Sequence, residues 1–134
     1  MPGVEVVREF AFCGCESLSD VVCGKLEIIK GEAFSDCQSL RRITLLSARI
    51  VEEGSFTECR FLPDVKFGNK LERLEAGIFD NCESLERITI PLKDGLFNDE
   101  DTFIGCQNLK HVDLVKGEVH ATIALFTWRT GEII

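Results

Sequence analysis

The chain has 134 residues, 45 % of them hydrophobic and 28 % charged, which is the composition of one folded domain and excludes a disordered segment. Its 15 basic and 23 acidic residues give a formal net charge of -8, which disfavours nucleic acids and anionic membranes unless basic residues are segregated on one face. No apolar run approaches the roughly 18 to 20 residues of a membrane span, and no secretory signal is visible at the start.

The main feature along the chain is a repeated pattern of one aromatic, one thiol and one aliphatic residue. The phenylalanines of its five copies are 22, 22, 23 and 24 residues apart. Each copy continues as Leu-x-x-(Ile/Val)-x-apolar, an alternation typical of a short β-strand with every second side chain inward. The copies of Phe-x-x-Cys-x-x-Leu are Phe12-Cys15-Leu18, Phe34-Cys37-Leu40, Phe56-Cys59-Leu62, Phe79-Cys82-Leu85 and Phe103-Cys106-Leu109.

A second and weaker pair of apolar residues precedes each phenylalanine. In the fifth copy these positions hold Gly95 and Asn98, so we expect that strand to be broken or displaced, with Leu96 and Phe97 turned inward instead. The other pairs are Val4/Val7, Leu26/Ile29, Ala48/Val51 and Leu71/Leu74. The spacing predicts five repeats at about 4–25, 26–47, 48–70, 71–94 and 95–116, followed by a cap over 117–134.

One repeat cannot bury its own apolar face, so the copies must stack into a mostly β repeat solenoid. Equivalent positions then lie above one another at a strand spacing of roughly 4.8 Å. The sequence therefore predicts two structural columns, one of phenylalanine rings and one of small thiols packed as apolar residues. The columns are Phe12, Phe34, Phe56, Phe79 and Phe103, and Cys15, Cys37, Cys59, Cys82 and Cys106.

The repeat resembles the BspA-type leucine-rich repeat family over residues 4 to about 116. The clearest copy is Gly31-Glu32-Ala33-Phe34-Ser35-Asp36-Cys37-Gln38-Ser39-Leu40-Arg41-Arg42-Ile43-Thr44-Leu45. The resemblance implies a right-handed solenoid with a parallel sheet on its concave side. It also implies an adhesion or protein-interaction module, and no catalytic residues belong to the family motif. Two departures are the fifth repeat and Pro63, which removes a hydrogen-bond donor from the third strand and predicts a weak point there.

The two ends of the predicted solenoid differ. Val119, Ile123 and Phe126 are spaced at i, i+4 and i+7, which predicts a short helical cap over the last repeat. The alternative is that Phe126 and Trp128 form an exposed aromatic anchor for a partner. The N-terminal end shows no matching cap, so the strand at Val4–Val7 is expected to be an exposed edge. Self-association through this edge, or its continuation in a longer array, both remain open.

The sequence gives little support to catalysis, cofactors or metals, and we expect none. A linear column of cysteines does not converge on a zinc ion, and the Cys13-x-Cys15 pair is weak evidence for metal or redox chemistry. His111 and His120 are not tied by any motif to a nucleophile. The acidic run at 99–101 lacks the alternating oxygen ligands of a calcium loop. Seven cysteines, an odd number, argue against disulfides and favour an intracellular location.

The main strands expose a different charge balance from the rest of the chain. We expect Arg41, Arg42, Lys66, Arg87 and His111 to contact a polypeptide partner, which remains unidentified. The simpler interpretation is that interleaved charges stabilise neighbouring strands. The alternative function is an assembly element that stacks through its N-terminal edge. The solvent-facing charged positions carry five basic residues, Arg41, Arg42, Lys66, Arg87 and Lys110, against four acidic ones, Asp20, Asp64, Glu86 and Asp113.

Overall fold

A computed structural model describes residues 3–93, 95–96, 103, 105–116 and, by their backbone alone, 119–124. In this part of the chain all regular structure is β, and no helix is long and apolar enough to cross a membrane. The strands are β1 (Val6–Val7), β2 (Asp20–Val21), β3 (Ile28–Ile29), β4 (Arg42–Ile43), β5 (Ile50–Val51), β6 (Asp64–Lys66), β7 (Arg73–Leu74), β8 (Arg87–Pro91), β9 (His111–Lys116) and β10 (Val119–Ala124).

Alternate strands along the chain build two parallel sheets, which confirms the predicted β-solenoid. The second sheet consists of β1, β3, β5 and β7, paired in that order. The main sheet, as we name it, consists of β2, β4, β6, β8 and β9, one strand from each coil; β2 pairs with β4, and β6, β8 and β9 pair in that order. Its register places Asp64 beside Arg87, and Arg87 beside His111. Each strand from β1 to β9 thus pairs with a strand one full repeat away, because a single coil has no other partner for its backbone groups.

Phenylalanine rings stack along the centre of the solenoid. Neighbouring rings from Phe12 to Phe103 have centroids 5.3, 5.5, 5.7 and 6.3 Å apart and lie within 9° of parallel. The rings of Phe34, Phe56 and Phe79 have no exposed surface. The apolar positions of both sheets point to this stack, and so each coil is packed mainly against the coils before and after it.

The chain reverses sharply around each of these phenylalanines. Positions two residues before and two after the ring have positive φ angles, for example Glu32 at 54° and Asp36 at 57° on either side of Phe34. The left-handed conformation turns the backbone tightly enough to return it to the main sheet. The corner is held by hydrogen bonds between coils, such as the 2.8 Å bond from the Phe34 amide to the Ser55 carbonyl.

Pro63 interrupts the main sheet, as its sequence position predicts. The amide of Arg41 donates to the Ser19 carbonyl at 2.8 Å, and the amide of Glu86 donates to the Pro63 carbonyl at 2.8 Å. Pro63 occupies the equivalent position in the intervening coil. It has no amide hydrogen, so this row of hydrogen bonds between coils is interrupted there. Accordingly β2–β4 is separate from the sheet that begins at β6, and a single bridge between Leu45 and Phe67 connects the two parts.

The C-terminal helix prediction is wrong over Val119–Ala124. These residues form β10, which pairs antiparallel with β9 from Val119 opposite Lys116 to Ala124 opposite His111. Val119, Ala121 and Ile123 also alternate with polar residues, so the same sequence suits a strand, and the edge of β9 supplies the hydrogen-bonding partners. Phe126 and Trp128, the proposed aromatic anchor, lie outside the described residues, as does the rest of the predicted cap.

The second strand of the fifth repeat is displaced, as expected from Gly95. Leu96 is buried, and its carbonyl accepts a 2.8 Å hydrogen bond from the Leu74 amide. Gly95 has a φ of 76°, which a side chain would disfavour. Phe97 and Asn98 lie outside the described residues, so the inward role predicted for Phe97 stays a prediction.

Candidate partner-binding face

The main sheet presents most of the predicted binding residues to solvent. Arg41, Arg42, Lys66 and Arg87 are exposed, whereas His111 is partly buried. The alternation of the strands explains this placement, because Ile43, Val65 and Ile88 point to the core and their neighbours therefore point outward. The parallel register brings the outward residues of successive coils into rows that run along the solenoid.

Arg87 is fixed to this face by a buried carboxylate. Its Nη1 atom donates to Oδ1 and Oδ2 of Asp113 at 2.8 and 2.7 Å, while the Asp113 side chain is only 4 % exposed. The expectation that Asp113 faces solvent is therefore wrong. Asp113 lies opposite Thr122 of β10, so its strand is an interior strand of the sheet and not the edge that the repeat pattern implies. Arg87 consequently stabilises the sheet through its ion pair with Asp113, in addition to forming part of the exposed face.

Three of the four cations on the second sheet are paired with carboxylates of the same side, and the fourth, Arg8, forms no ion pair among the described residues. Lys30 lies 3.2 Å from Glu52, and the Arg49 Nε atom lies 2.7 Å from Glu72. A third ion pair joins Arg73 to Glu75 at 3.0 Å. These pairs are exposed and each contributes little to stability, but they leave the second sheet with few unpaired positive charges.

Most cations of the main sheet, in contrast to those of the second sheet, form no ion pair. Within the described residues, Arg87 is the one cation of this sheet that has an ion-pair partner. Arg41, Arg42, Lys66 and Lys110 are exposed and form no such pair there. Asp20 lies beside Arg42 in the strand register, yet the two side chains are not in ion-pair contact. The face therefore carries free charges of both signs that are available to another molecule.

The cysteine column is a ladder of thiol hydrogen bonds. From the second coil onward, each Sγ atom donates to the carbonyl of the phenylalanine one coil earlier, as Cys59 does to Phe34 and Cys82 to Phe56, both at 3.1 Å. Burial raises the pKa of the Cys59 thiol to about 12, from an ordinary value of 9.0. Such thiols stay protonated and are poor nucleophiles or metal ligands. Cys15, Cys37 and Cys106 share this column, with Cys15 only partly buried.

The described residues form no candidate site for metal binding or for catalysis. All seven cysteines are thiols that form no disulfide, and Cys13 is the exposed one. Within the described ranges no three histidine, cysteine or acidic side chains converge as metal ligands would. His111 lies on β9 and His120 on β10, while the acidic run at 99–101 lies outside the described residues.

Comparison with known proteins agrees with this architecture. The model of the BspA-type leucine-rich repeat region matches residues 2–110 in six copies. The chain belongs to the BspA-type leucine-rich repeat family. Repeat domains with this fold commonly mediate protein–protein interactions. No curated protein matches the chain.

Three solved structures of bacterial leucine-rich repeat proteins are similar to this repeat domain. A leucine-rich cell surface protein from Faecalibacterium prausnitzii is 25 % identical with a TM-score of 0.78, over 88 % of this chain and 31 % of that one. The leucine-rich repeat protein of T. pallidum is 27 % identical with a TM-score of 0.56, over 81 % and 62 % of the two chains. One from Bacteroides ovatus, 24 % identical over 82 % and 37 %, has a TM-score of 0.60 and shows the fold alone.

The chain spans less than two thirds of the length of each of these relatives. Membership of the family therefore establishes the leucine-rich repeat architecture, a fold in common use for protein interaction.

Phe61 is an exposed aromatic residue that is absent from the binding positions predicted by the repeat pattern. It is 55 % exposed in the turn before β6 of the repeat domain. The equivalent repeat positions hold Ser39, Ser84 and Asn108, so a phenylalanine there is not required by the fold. Comparing the repeats column by column would have found it, because it is the only aromatic residue in an otherwise polar column.

Proposed function

We propose that this leucine-rich repeat domain binds a polypeptide partner through the outward face of its main sheet. The contrast between the two sheets supports the proposal. Three of the four cations of the second sheet are paired with carboxylates, whereas Arg41, Arg42 and Lys66 project from the main sheet without an ion-pair partner in the described part of the chain.

A purely structural role accounts less well for the same residues. Cross-strand charge pairs stabilise a sheet by roughly 0.2 to 1 kcal/mol each when the side chains touch. Asp20 and Arg42 are register neighbours that form no ion pair, so this contribution is small at that position. Arg87 does make a structural pair with Asp113, and we therefore assign it a supporting role and not a primary contact.

The partner contact is expected to be modest and polar. The main face mixes basic Arg41 and Arg42 with acidic Asp64 and Glu86, and the exposed aromatic residue Phe61 lies in the turn before β6. Tight interfaces depend on buried aromatic and arginine anchors. A polar interface of this kind is expected to weaken as salt is raised, because its charges are exposed.

The test compares two triple variants of equal charge. The face variant is Arg41→Glu/Arg42→Glu/Lys66→Glu, and the control, at exposed positions off the main strands, is Arg8→Glu/Lys25→Glu/Lys70→Glu. Each reverses three charges and takes the net charge from -8 to -14. Arg87 is left intact, because a glutamate there would oppose the buried Asp113.

Capture from extracts of cells that express the protein provides the measurement, with circular dichroism to establish that all forms are folded. The proposal expects a protein retained by the native and control forms and lost by the face variant. Equal capture by both variants, or loss with the control alone, would place the binding surface elsewhere on the domain.

A further inference from the structure

The second sheet carries a row of aliphatic side chains that do not belong to the core. In β1, β3 and β5 the second residue is buried and the first is not. The parallel register pairs Val6 with Ile28, and Ile28 with Ile50. Ile28 and Ile50 lie in coils with a neighbour on each side and are still partly exposed, because they face away from the core. We name Val6, Ile28 and Ile50 the aliphatic row.

The fold does not require aliphatic residues at these positions. The position paired with Ile50 in the next coil is Arg73, and β7 forms there all the same. On the main sheet the outward positions of successive strands are charged, for example Asp20, Arg42 and Arg87. β-branched residues favour strands in general, but that preference does not explain why they are confined to one face of the solenoid.

Two neighbouring carboxylates border the aliphatic row without a cation between them. The amide of Glu27 donates to the carbonyl of Glu5 at 2.8 Å, so these residues lie in adjacent strands, roughly 4.8 Å apart. The next residue along this border is Arg49, whose Nε atom lies 2.7 Å from Glu72. Like charges on adjacent strands destabilise a sheet, so Glu5 and Glu27 together are unfavourable in the isolated domain.

Unpaired acidic residues outnumber unpaired basic ones over the whole second sheet. The count covers each strand from one residue before it to two residues after it, and takes ion pairs within the described residues. Four carboxylates, Glu5, Glu9, Glu27 and Glu53, and one cation, Arg8, form no ion pair there. A molecule of complementary charge is therefore basic.

The spacing of the aliphatic row matches the turns of an α-helix. Successive members lie one strand spacing apart, roughly 4.8 Å, and a helix rises about 5.4 Å per turn. One apolar side chain per turn thus stays in step with all three coils to within about 1 Å. In an extended strand the side chains of one face repeat about every 6.6 Å, and they lose step with the row at once.

We propose that the outward face of the second sheet binds a basic amphipathic helix of another protein. Apolar side chains on successive turns of that helix contact Val6, Ile28 and Ile50, and its lysine or arginine residues face Glu5 and Glu27. The surface shares no residue with the main face, so this proposal stands independently of the partner proposed there.

The probe is a synthetic helical peptide of alanine, leucine and lysine, about 18 residues long so that it can form a helix. Its leucines are placed at i, i+4, i+7 and i+11, with lysines on both sides of them. A second peptide of the same composition has its leucines spread around the helix. Fluorescence anisotropy measures the binding of each peptide to the whole chain. The native chain is expected to bind the amphipathic peptide about ten-fold more tightly than the second peptide, and less tightly as salt is raised.

The row variant is Ile28→Thr/Ile50→Thr, in which threonine keeps the β-branched shape that suits a strand. Its control is Val22→Thr/Leu46→Thr, which changes two exposed apolar side chains outside the second sheet. Circular dichroism establishes that both variants are folded. We expect the Kd of the amphipathic peptide to rise about ten-fold in the row variant and to stay unchanged in the control.

The border variant is Glu5→Gln/Glu27→Gln, and its control is Glu16→Gln/Glu83→Gln at exposed positions outside the second sheet. Each takes the net charge from -8 to -6, so the general attraction for a basic peptide changes equally in both. The border variant is expected to raise the Kd several-fold more than its control and to reduce the dependence on salt. Equal affinity of the native chain for the two peptides, or equal effects of either variant and its control, would overturn the proposal.

Discussion

Replacement of Phe56 by alanine tests whether the ring stack holds the solenoid together. Phe56 has no exposed surface and lies between two near-parallel rings, with centroids 5.5 Å from Phe34 and 5.7 Å from Phe79. Phe12 has the same repeat position but is partly buried and stacks on one ring alone, at 5.3 Å. The two positions therefore differ in burial and in the number of ring neighbours, with the side chain unchanged.

The expected cost can be worked out from these contacts. Truncation of a fully buried phenylalanine lowers the free energy of unfolding by about 3 to 5 kcal/mol, and each stacked ring pair accounts for about 0.5 to 1.5 kcal/mol of that loss. We expect about 4 kcal/mol for Phe56→Ala. For Phe12→Ala, with less burial and one stacked pair, we expect about 2 kcal/mol.

Urea unfolding followed by circular dichroism measures both values, under conditions in which the slope with denaturant is unchanged. Equal losses at the two positions, or a loss below about 1 kcal/mol at Phe56, would refute the view that the interior rings carry the packing.

Three further predictions concern single contacts. Gly68→Ala should lower the free energy of unfolding by at least about 2 kcal/mol, since an added Cβ would overlap the backbone carbonyl oxygen of Leu46 in the preceding coil; an unchanged melting temperature would contradict this. Arg87→Ala should cost about 1 to 3 kcal/mol, since it removes the charged partner of buried Asp113, and a loss within error in urea unfolding would count against that role. Burial raises the pKa of the Cys59 thiol from 9.0 to about 12, so the folded chain keeps a proton that the unfolded chain releases, and stability should fall from about pH 9 upward. If stability fell more steeply with pH in Cys59→Ala than in the native chain, the role of Cys59 in this pH dependence would be refuted. In addition, iodoacetamide should label exposed Cys13 long before buried Cys59.

The repeat pattern predicted much of the fold because each apolar residue has an equivalent in the next coil. The positions of Phe34, Phe56 and Phe79 set the spacing of the coils and the ring stack together. The interruption at Pro63 was also predictable, since a missing amide hydrogen is a property of the residue itself.

The C-terminal strand was less predictable, because residues 119–124 satisfy two periods at once. Val119 and Ile123 suit one face of a helix, and the same two residues with Ala121 suit one face of a strand. These residues form a strand because the open edge of β9 supplies the hydrogen-bonding partners of β10. That edge is a tertiary feature, and so are the burial of Asp113 behind it and the ion pair with Arg87.

The thiol ladder shows a similar limit. The sequence predicts that Cys37 and Cys59 are buried and stacked, but it gives no indication that each Sγ atom donates to a phenylalanine carbonyl. That bond depends on the offset between neighbouring coils, which is set by the corner around Phe34 and by its left-handed residues. Side-chain type alone therefore predicts burial but not the hydrogen-bond partner.

The most direct test of the main face is a lysine footprint of the complex with a partner captured by the native domain. Lys66 and Lys110 lie on or beside the main strands, whereas Lys25 and Lys70 are also exposed but lie elsewhere. Reductive methylation with detection by mass spectrometry compares all four residues in one sample. We expect the partner to slow the modification of Lys66 and Lys110 several-fold and to leave Lys25 and Lys70 unchanged. Protection of Lys25 and Lys70 with full reactivity at Lys66 and Lys110 would contradict binding through the main face.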